Sequence, residues 1–274
     1  GSPAVVFPLK NKFLNLSYFQ TAEDFNITTT GVSSSDLEMI IWSVLEKTFS
    51  MLNIKRSDLR GHLIIDSHIQ FGAGMGASAT LAVGISQFFG YLGFLNEEVF
   101  SFSKKIEDLF HGESSGVDVA IALHQKPLVF KKNQPHKFLD IPQLPKLFLS
   151  YSGQRGVTKD CVTKVKNLFL TDPELAQKID ADMKEVVEEY IKSGGLWSQE
   201  EWVKYISLAQ SCFKKWGLVP EAVQAHIDTL LESGALACKI TGSGFGGYVL
   251  SLWAEDSDFE EVLKNIKTEM IPVV

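Results

Sequence analysis

Three glycines at alternate positions, Gly72, Gly74 and Gly76, run directly into the small-residue stretch Ala77-Ser78-Ala79-Thr80-Leu81-Ala82. Glycine admits positive φ and close approach of a ligand to the backbone, and the first amides of a helix have no intrahelical acceptor. Together they aim several N–H donors and the positive end of a helix dipole into one concavity, a cradle suited to phosphate. The Ser78 hydroxyl, just inside that helix, is placed to reach a phosphate-bound Mg²⁺, a hard cation that takes one or two protein oxygens and keeps waters. Close helix packing by a small residue is the other reading of Ser78.

Two further stretches carry groups of the right type. Glu107 and His111 stand four apart on a helical stretch, hence on one face, beside apolar Ile106 and Phe110. A carboxylate so placed needs a partner, which a metal-bound nucleotide would supply; a solvated Glu–His pair is the alternative. Asp118, among Gly116, Val117 and Val119, is either a helix cap in the pattern Ser115-x-x-Asp118 or a general base held near a reacting hydroxyl. The run Gly242-Ser243-Gly244-Phe245-Gly246-Gly247 is denser in glycine than a hairpin needs, which suggests close packing on a ligand or on the first cradle.

Rival chemistries fit less well. A Walker A loop ends in Gly-Lys-Ser/Thr, and no lysine occurs between Lys55 and Lys104. Gly72, Gly74 and Ala77 match a dinucleotide fingerprint, but the preceding strand alternates apolar and polar residues. That suits a half-exposed antiparallel strand better than a buried parallel one. A structural glycine turn stays open beside the phosphate reading. His111 has no second residue at zinc-ligand spacing. Cys161, Cys212 and Cys238 lie far apart among apolar neighbours and read as buried free thiols.

With 274 residues, 45% hydrophobic and 22% charged, the chain holds one large or two ordinary globular domains. Its formal charge of −7 argues against a nucleic-acid partner. Residues 69–96 carry no charge, yet their six glycines and several hydroxyls favour a buried helix over a membrane span.

The elements that must position these groups follow from periodicity. Short β-like runs over residues 4–7, 13–19 and 25–30 suggest an opening antiparallel sheet. A capping box of Ser35 and Glu38 opens an amphipathic helix through Leu52, and Asn96 is the expected cap of a helix ending at His111-Gly112. The polar run 131–145 is the expected boundary, dividing the chain into residues 1–142 and 143–274. Beyond it come a strand at 147–151, a helix capped by Thr158, one opened by Asp172-Pro173, one opened by Ser198 with Glu201, and one begun by Val219-Pro220. Two strands flank the last glycine turn, and a final helix is expected over residues 259–266. The picture is two α+β halves.

Read together, the three glycine-bearing stretches resemble the GHMP small-molecule kinases, and within them the mevalonate kinase branch. Gly72-Ala73-Gly74-Met75-Gly76-Ala77-Ser78-Ala79 resembles the family's phosphate loop G-x-G-L-G-S-S-A. Glu107 with His111-Gly112-Glu113-Ser114-Ser115-Gly116-Val117-Asp118 is similar to E-x-x-x-H-G-x-P-S-G-V-D. Lys239-Ile240-Thr241-Gly242-Ser243-Gly244-Phe245-Gly246-Gly247 is similar to K-L-T-G-A-G-G-G-G. The resemblance implies a two-domain α+β fold, with a ribosomal protein S5 domain 2-like first half and a ferredoxin-like second half. It implies ATP and Mg²⁺ as cofactors and transfer of phosphate to mevalonate in the cytoplasm, with no nucleic-acid or membrane partner, and it allows a homodimer. Gly72, Ala73, Gly74, Met75, Gly76, Ala77 and Ser78 would then hold the nucleotide, and Ser78 and Glu107 the metal. Asp118 would be the catalytic base, and His111, Asp118, Thr158, Gly242, Ser243 and Gly244 would line the substrate.

The chain departs from the pattern at Ala77, where the family has serine, at Ser114 (proline), at Val119 (asparagine) and at Phe245 (glycine). The motif with the family's active-site lysine and Gly-Glu-His is not in the sequence, and Gly1-Ser2-Pro3-Ala4 resembles the residues that follow it, so residues upstream are expected. Another GHMP kinase acting on phosphomevalonate or a sugar, and a non-catalytic sensor of the same fold, are the rival functions.

Overall fold

The computed structural model describes residues 2–9, 11–32, 34–72, 74–141, 144–259, 262–263 and 266–273. Its strands are β1 (Ala4–Val6), β2 (Leu14–Asp24), β3 (Asn26–Gly31), β4 (Arg60–Ser67), β5 (Leu128–Phe130), β6 (Lys137–Phe138), β7 (Leu147–Tyr151), β8 (Ala237–Ile240), β9 (Tyr248–Leu252) and β10 (Met270–Pro272). The helices are α1 (Ser34–Leu52), α2 (Ala77–Tyr91), α3 (Val99–His111), α4 (Val117–His124), α5 (Thr158–Thr171), α6 (Pro173–Lys192), α7 (Gln199–Lys215) and α8 (Glu221–Glu232). Two compact units result, Lys10–Gln125 and a second made of Gly1–Leu9 with Lys126–Val274.

In the Lys10–Gln125 unit the sheet order is β2-β4-β3. Gly61, Leu63, Ile65 and Ser67 of β4 are buried while His62, Ile64 and Asp66 are half-exposed, which is the alternation visible in the sequence. The pairing is mixed: β4 runs antiparallel to β2 but parallel to β3, with Asn26 opposite His62 and Gly31 opposite Ser67. Period-two alternation reports which face is covered and not which way the neighbour runs, so the purely antiparallel expectation is corrected. Gly61 marks the bulge where the β2 register shifts between Phe19 and Asp24. Its φ is +113°, and a Cβ there would stand 2.3 Å from the Phe19 carbonyl oxygen.

The core of this unit joins Leu63 and Ile65 of β4 to Ile41, Leu45 and Phe49 of α1, Leu81, Ile85 and Phe89 of α2, and Phe102 and Ile106 of α3. Each such side chain contributes roughly 1.5–3 kcal/mol on burial. Gly84 lets α2 lie against β2, since a Cβ there would approach Leu16 Cδ1 to 2.9 Å. The buried hydroxyls of Ser86 and Ser103 meet at 2.9 Å and fix α2 against α3. A smaller apolar group, Ala79, Val83 and Val119, ties α2 to α4. The cap of α3 is Glu98 and not Asn96, and Gly112 closes the helix at φ +78°. The side chains of the Ser35–Glu38 cap fall partly outside the described residues.

In the second unit β1 pairs with β5 and β5 with β6, so residues 4–6 do not join β2 and β3 as expected. A four-stranded antiparallel sheet, β10-β7-β9-β8, carries the other core with Cys238, Ile240, Val249, Ile227, Leu230 and Trp253. Asp172 accepts from the Leu175 amide at 3.1 Å ahead of Pro173, and Ser198 and Glu201 form the expected box on α7. Val157, not Thr158, is the cap residue of α5; Thr158 is its first helical residue. The helix expected over residues 259–266 lies partly outside the described residues. All three cysteines are free and buried. Among the described residues no helix is long and apolar enough to cross a membrane.

Candidate active site

The chain leaving β4 reaches α2 through Gly72, Gly74 and Gly76, whose φ values are +78°, +80° and +67°. An L-residue in the left-handed region costs of order 1 kcal/mol, so three such positions in five residues need glycine. A Cβ on Gly74 would meet nothing within 4 Å, so that side of the turn is open. Gly76 is the N-cap of α2 and supplies no side-chain hydrogen bond to the helix start. The first amides of α2 therefore keep their donors for an incoming anion. Met75 and Ser78 are half-buried, Ala77 is buried, and Ala73 lies outside the described residues.

The C-terminal end of α3 meets this helix start. The Ser78 hydroxyl lies 3.1 Å from His111 Nε2. One turn earlier, Glu107 is only 3% exposed, and its Oε2 has no hydrogen-bond partner. Burial, and after it the charge of Asp118, pushes its carboxyl up to about 7, with the neighbouring Ser114 hydroxyl opposing. Burying a carboxylate oxygen without a donor is unfavourable, and a cation is the complement it lacks. A buried carboxylate and a hydroxyl are oxygen donors of the hard kind that Mg²⁺ takes. Among the described residues no group of three or more His, Cys, Asp or Glu could hold a metal.

Asp118 is the second residue of α4 and is open to solvent. Gly116 caps this helix at φ +85° without a side-chain bond, and the Ser115 hydroxyl accepts from the Val117 amide at 3.2 Å. Asp118 is therefore not the cap, which leaves its carboxyl for chemistry. Although the residue keeps exposed surface, burial of its carboxyl among the surrounding protein atoms raises its proton affinity, and the nearby His111 opposes this. It faces the glycine turn: a Cβ on Gly76 would stand 3.6 Å from Asp118 Cβ and 3.7 Å from Cγ. Gly76, Ser78, Glu107, His111 and Asp118 are thus gathered in one place within one unit.

Asp108 escaped the sequence reading. Its Oδ1 accepts from the Ser114 amide at 2.6 Å, its Oδ2 pairs with Lys104 at 2.9 Å, and its carbonyl accepts from Gly112 at 2.8 Å. It pins the loop between His111 and Asp118. The available signal was a Lys–Asp pair four apart just before the glycine that ends the helix.

The residues expected in the second unit also find one another. Ser243 donates to Thr158 Oγ1 at 3.2 Å, at the start of α5. The glycine-dense turn interlocks with residues 152–156: Gly247 N–H donates to the Gln154 carbonyl at 2.7 Å, and the Ser152 amide donates to the Gly247 carbonyl at 3.0 Å. Backbones come this close only without side chains, since a Cβ on Gly156 would stand 2.3 Å from the Gly244 oxygen and one on Gly246 2.6 Å from the Gln154 oxygen. Gly242, by contrast, has nothing within 4 Å of its Cβ position.

A left-handed glycine turn at a helix start, a buried carboxylate and a second, exposed carboxylate are groups of the kinds phosphoryl transfer to a small molecule uses. The comparisons make the class specific. The family model described as GHMP kinases N terminal domain matches residues 39–126, and that described as GHMP kinases C terminal matches residues 200–272. The chain belongs to the GHMP kinases. A mevalonate kinase of Thermococcus onnurineus is 30% identical over 257 residues, covering 85% of this chain and 75% of that protein. The mevalonate kinase of Thermococcus sibiricus is 30% identical over 201 residues, 70% of this chain and 59% of that protein. Among solved structures, the L. major mevalonate kinase in complex with R-mevalonate matches with a TM-score of 0.80 at 18% identity, over 97% of this chain and 85% of that one. The structural likeness establishes the two-domain α+β fold, and the sequence likeness places the chain beside mevalonate kinases.

Proposed function

We propose that this chain transfers the terminal phosphoryl group of ATP to the primary hydroxyl of mevalonate, giving 5-phosphomevalonate, in the cytoplasm. The observation that carries the reading is the gathering of Ser78, Glu107, His111 and Asp118 beside the Gly76 turn, in a chain whose similar relatives are mevalonate kinases.

Each residue has a task that its surroundings suit. The left-handed glycines and the uncapped start of α2 would cradle the phosphates with backbone N–H groups. Ser78 and Glu107 would hold Mg²⁺, whose charge, when bound, neutralises that of the phosphates. Asp118 would accept the proton of the substrate hydroxyl, and its raised proton affinity suits a base better than an ordinary aspartate does. Positioning and charge neutralisation supply most of the acceleration in phosphoryl transfer. Thr158, Gly242, Ser243 and Gly244 are proposed to contact substrate, a reading supported by the Thr158–Ser243 bond and by the open Cβ side of Gly242.

The test is an acceptor panel: ADP release measured with mevalonate, phosphomevalonate, galactose and homoserine at fixed MgATP. Release with mevalonate at least tenfold above the others is expected. Release with another alcohol alone would reassign the substrate.

A further inference from the structure

Hydroxyls inside a helix commonly turn back to the carbonyl four residues earlier, and α2 shows this twice: Thr80 donates to Gly76 at 3.0 Å and Ser86 to Ala82 at 2.7 Å. Ser78 cannot do the same. As the second residue of α2 it has no helical carbonyl one turn behind it, so its hydroxyl must find a partner elsewhere. It finds His111 Nε2 at 3.1 Å, brought there by the last turn of α3. His111 is in turn held by the Gly112 closure and by the loop that Asp108 ties down.

We propose that His111 is a positioning residue for Ser78: in the tautomer with Nε2 unprotonated, its ring accepts the Ser78 hydroxyl's hydrogen bond and so fixes the Ser78 rotamer, with the oxygen lone pairs presented to a nucleotide-bound divalent cation. This rests on the kinase reading and deepens it. A serine hydroxyl has one hydrogen and two acceptor lone pairs. With the hydrogen directed to Nε2, both lone pairs remain for the cation; without His111 the hydroxyl rotates among water and the free amides of the cradle. The role is that of an outer partner orienting a metal-binding oxygen, where substitution typically costs 10- to 100-fold in metal affinity.

The experiment is calorimetric titration of ADP with and without Mn²⁺ on the wild type, His111→Ala, His111→Gln, Ser78→Ala and the Ser78→Ala/His111→Ala pair. Wild type is expected to bind ADP more tightly with Mn²⁺. His111→Ala is expected to lose about tenfold of that enhancement, while ADP affinity in EDTA stays within about twofold. His111→Gln, which keeps an acceptor on a side chain of similar reach, is expected to retain most of it. His111→Ala should add nothing once Ser78 is alanine. An unchanged enhancement in His111→Ala, or glutamine no better than alanine, would overturn the positioning role while leaving the kinase reading intact. No enhancement by Mn²⁺ in the wild type would overturn both.

Discussion

Glu107, buried in the last turns of α3, carries an unpartnered oxygen within electrostatic reach of the Asp118 carboxylate, and the two acids differ in exposure: one is sealed, the other open to solvent. On the proposed kinase reading, similar groups in different surroundings would take different tasks, the sealed one toward a cation and the exposed one toward a substrate proton.

The first consequence is a pH-dependent stability. The folded chain holds the Glu107 proton up to about 7, whereas the unfolded chain releases it near the ordinary 4.5. Between those values the folded state binds the additional proton, so stability of the nucleotide-free protein falls as pH rises through that window, by about 3 kcal/mol in all. Glu107→Gln should remove the Glu107 share of the slope and be the more stable protein at pH 8. Urea unfolding at pH 5 and pH 8 checks this; a wild type equally stable at both would contradict it.

Asp118→Asn should lower kcat by about 10²- to 10⁴-fold, the usual contribution of a general base, with ATP affinity nearly unchanged. The acid limb of the wild-type kcat/KM profile should lie above the ordinary aspartate range, because the folded surroundings raise this carboxyl. Stopped-flow turnover and nucleotide titration on the same variant separate the two. Full activity in Asp118→Asn would remove it as base.

Gly76→Ala should cost about 1 kcal/mol from its left-handed φ alone, since the Cβ itself meets Asp118 only at van der Waals distance. Its larger effect should be on nucleotide affinity, because the methyl group enters the space between the turn and Asp118. Thermal melts together with ATP titration read both; an unaffected affinity would show that the turn does not cradle phosphate.

In the second unit, Gly156→Ala and Gly153→Ala form a matched pair. The first drives a Cβ to 2.3 Å from the Gly244 oxygen, backbone against backbone, and should cost about 2 kcal/mol or more. The second meets nothing within 4 Å and carries only its φ of +78°, about 1 kcal/mol. Equal melting temperatures for the two would refute the interlock.

Much of this was legible in the chain because the signals are local. The helix over Leu37–Leu52 shows in its apolar spacing, the cap at Ser198 in its Glu201 partner, and the cradle in glycines too closely spaced for ordinary turns. What could not be read is what depends on pairing at a distance. The alternation of β4 hid its parallel neighbour β3, and nothing in Ala4–Val6 pointed to Leu128–Phe130 as its partner. The Ser78–His111 bond and the approach of Gly76 to Asp118 join residues 33 and 42 positions apart, so motif spacing suggested them only through family resemblance. The local reading of Asp118 as a cap failed for a local reason: Gly116 and Ser115 had already taken that role.

The most direct test of the central claim is ³¹P NMR of the protein with MgATP and R-mevalonate. Loss of the ATP γ-phosphate resonance should be matched one for one by a new phosphomonoester and by ADP, and only when mevalonate is present. Inorganic phosphate in place of the phosphomonoester, or an unchanged ATP spectrum, would contradict the account.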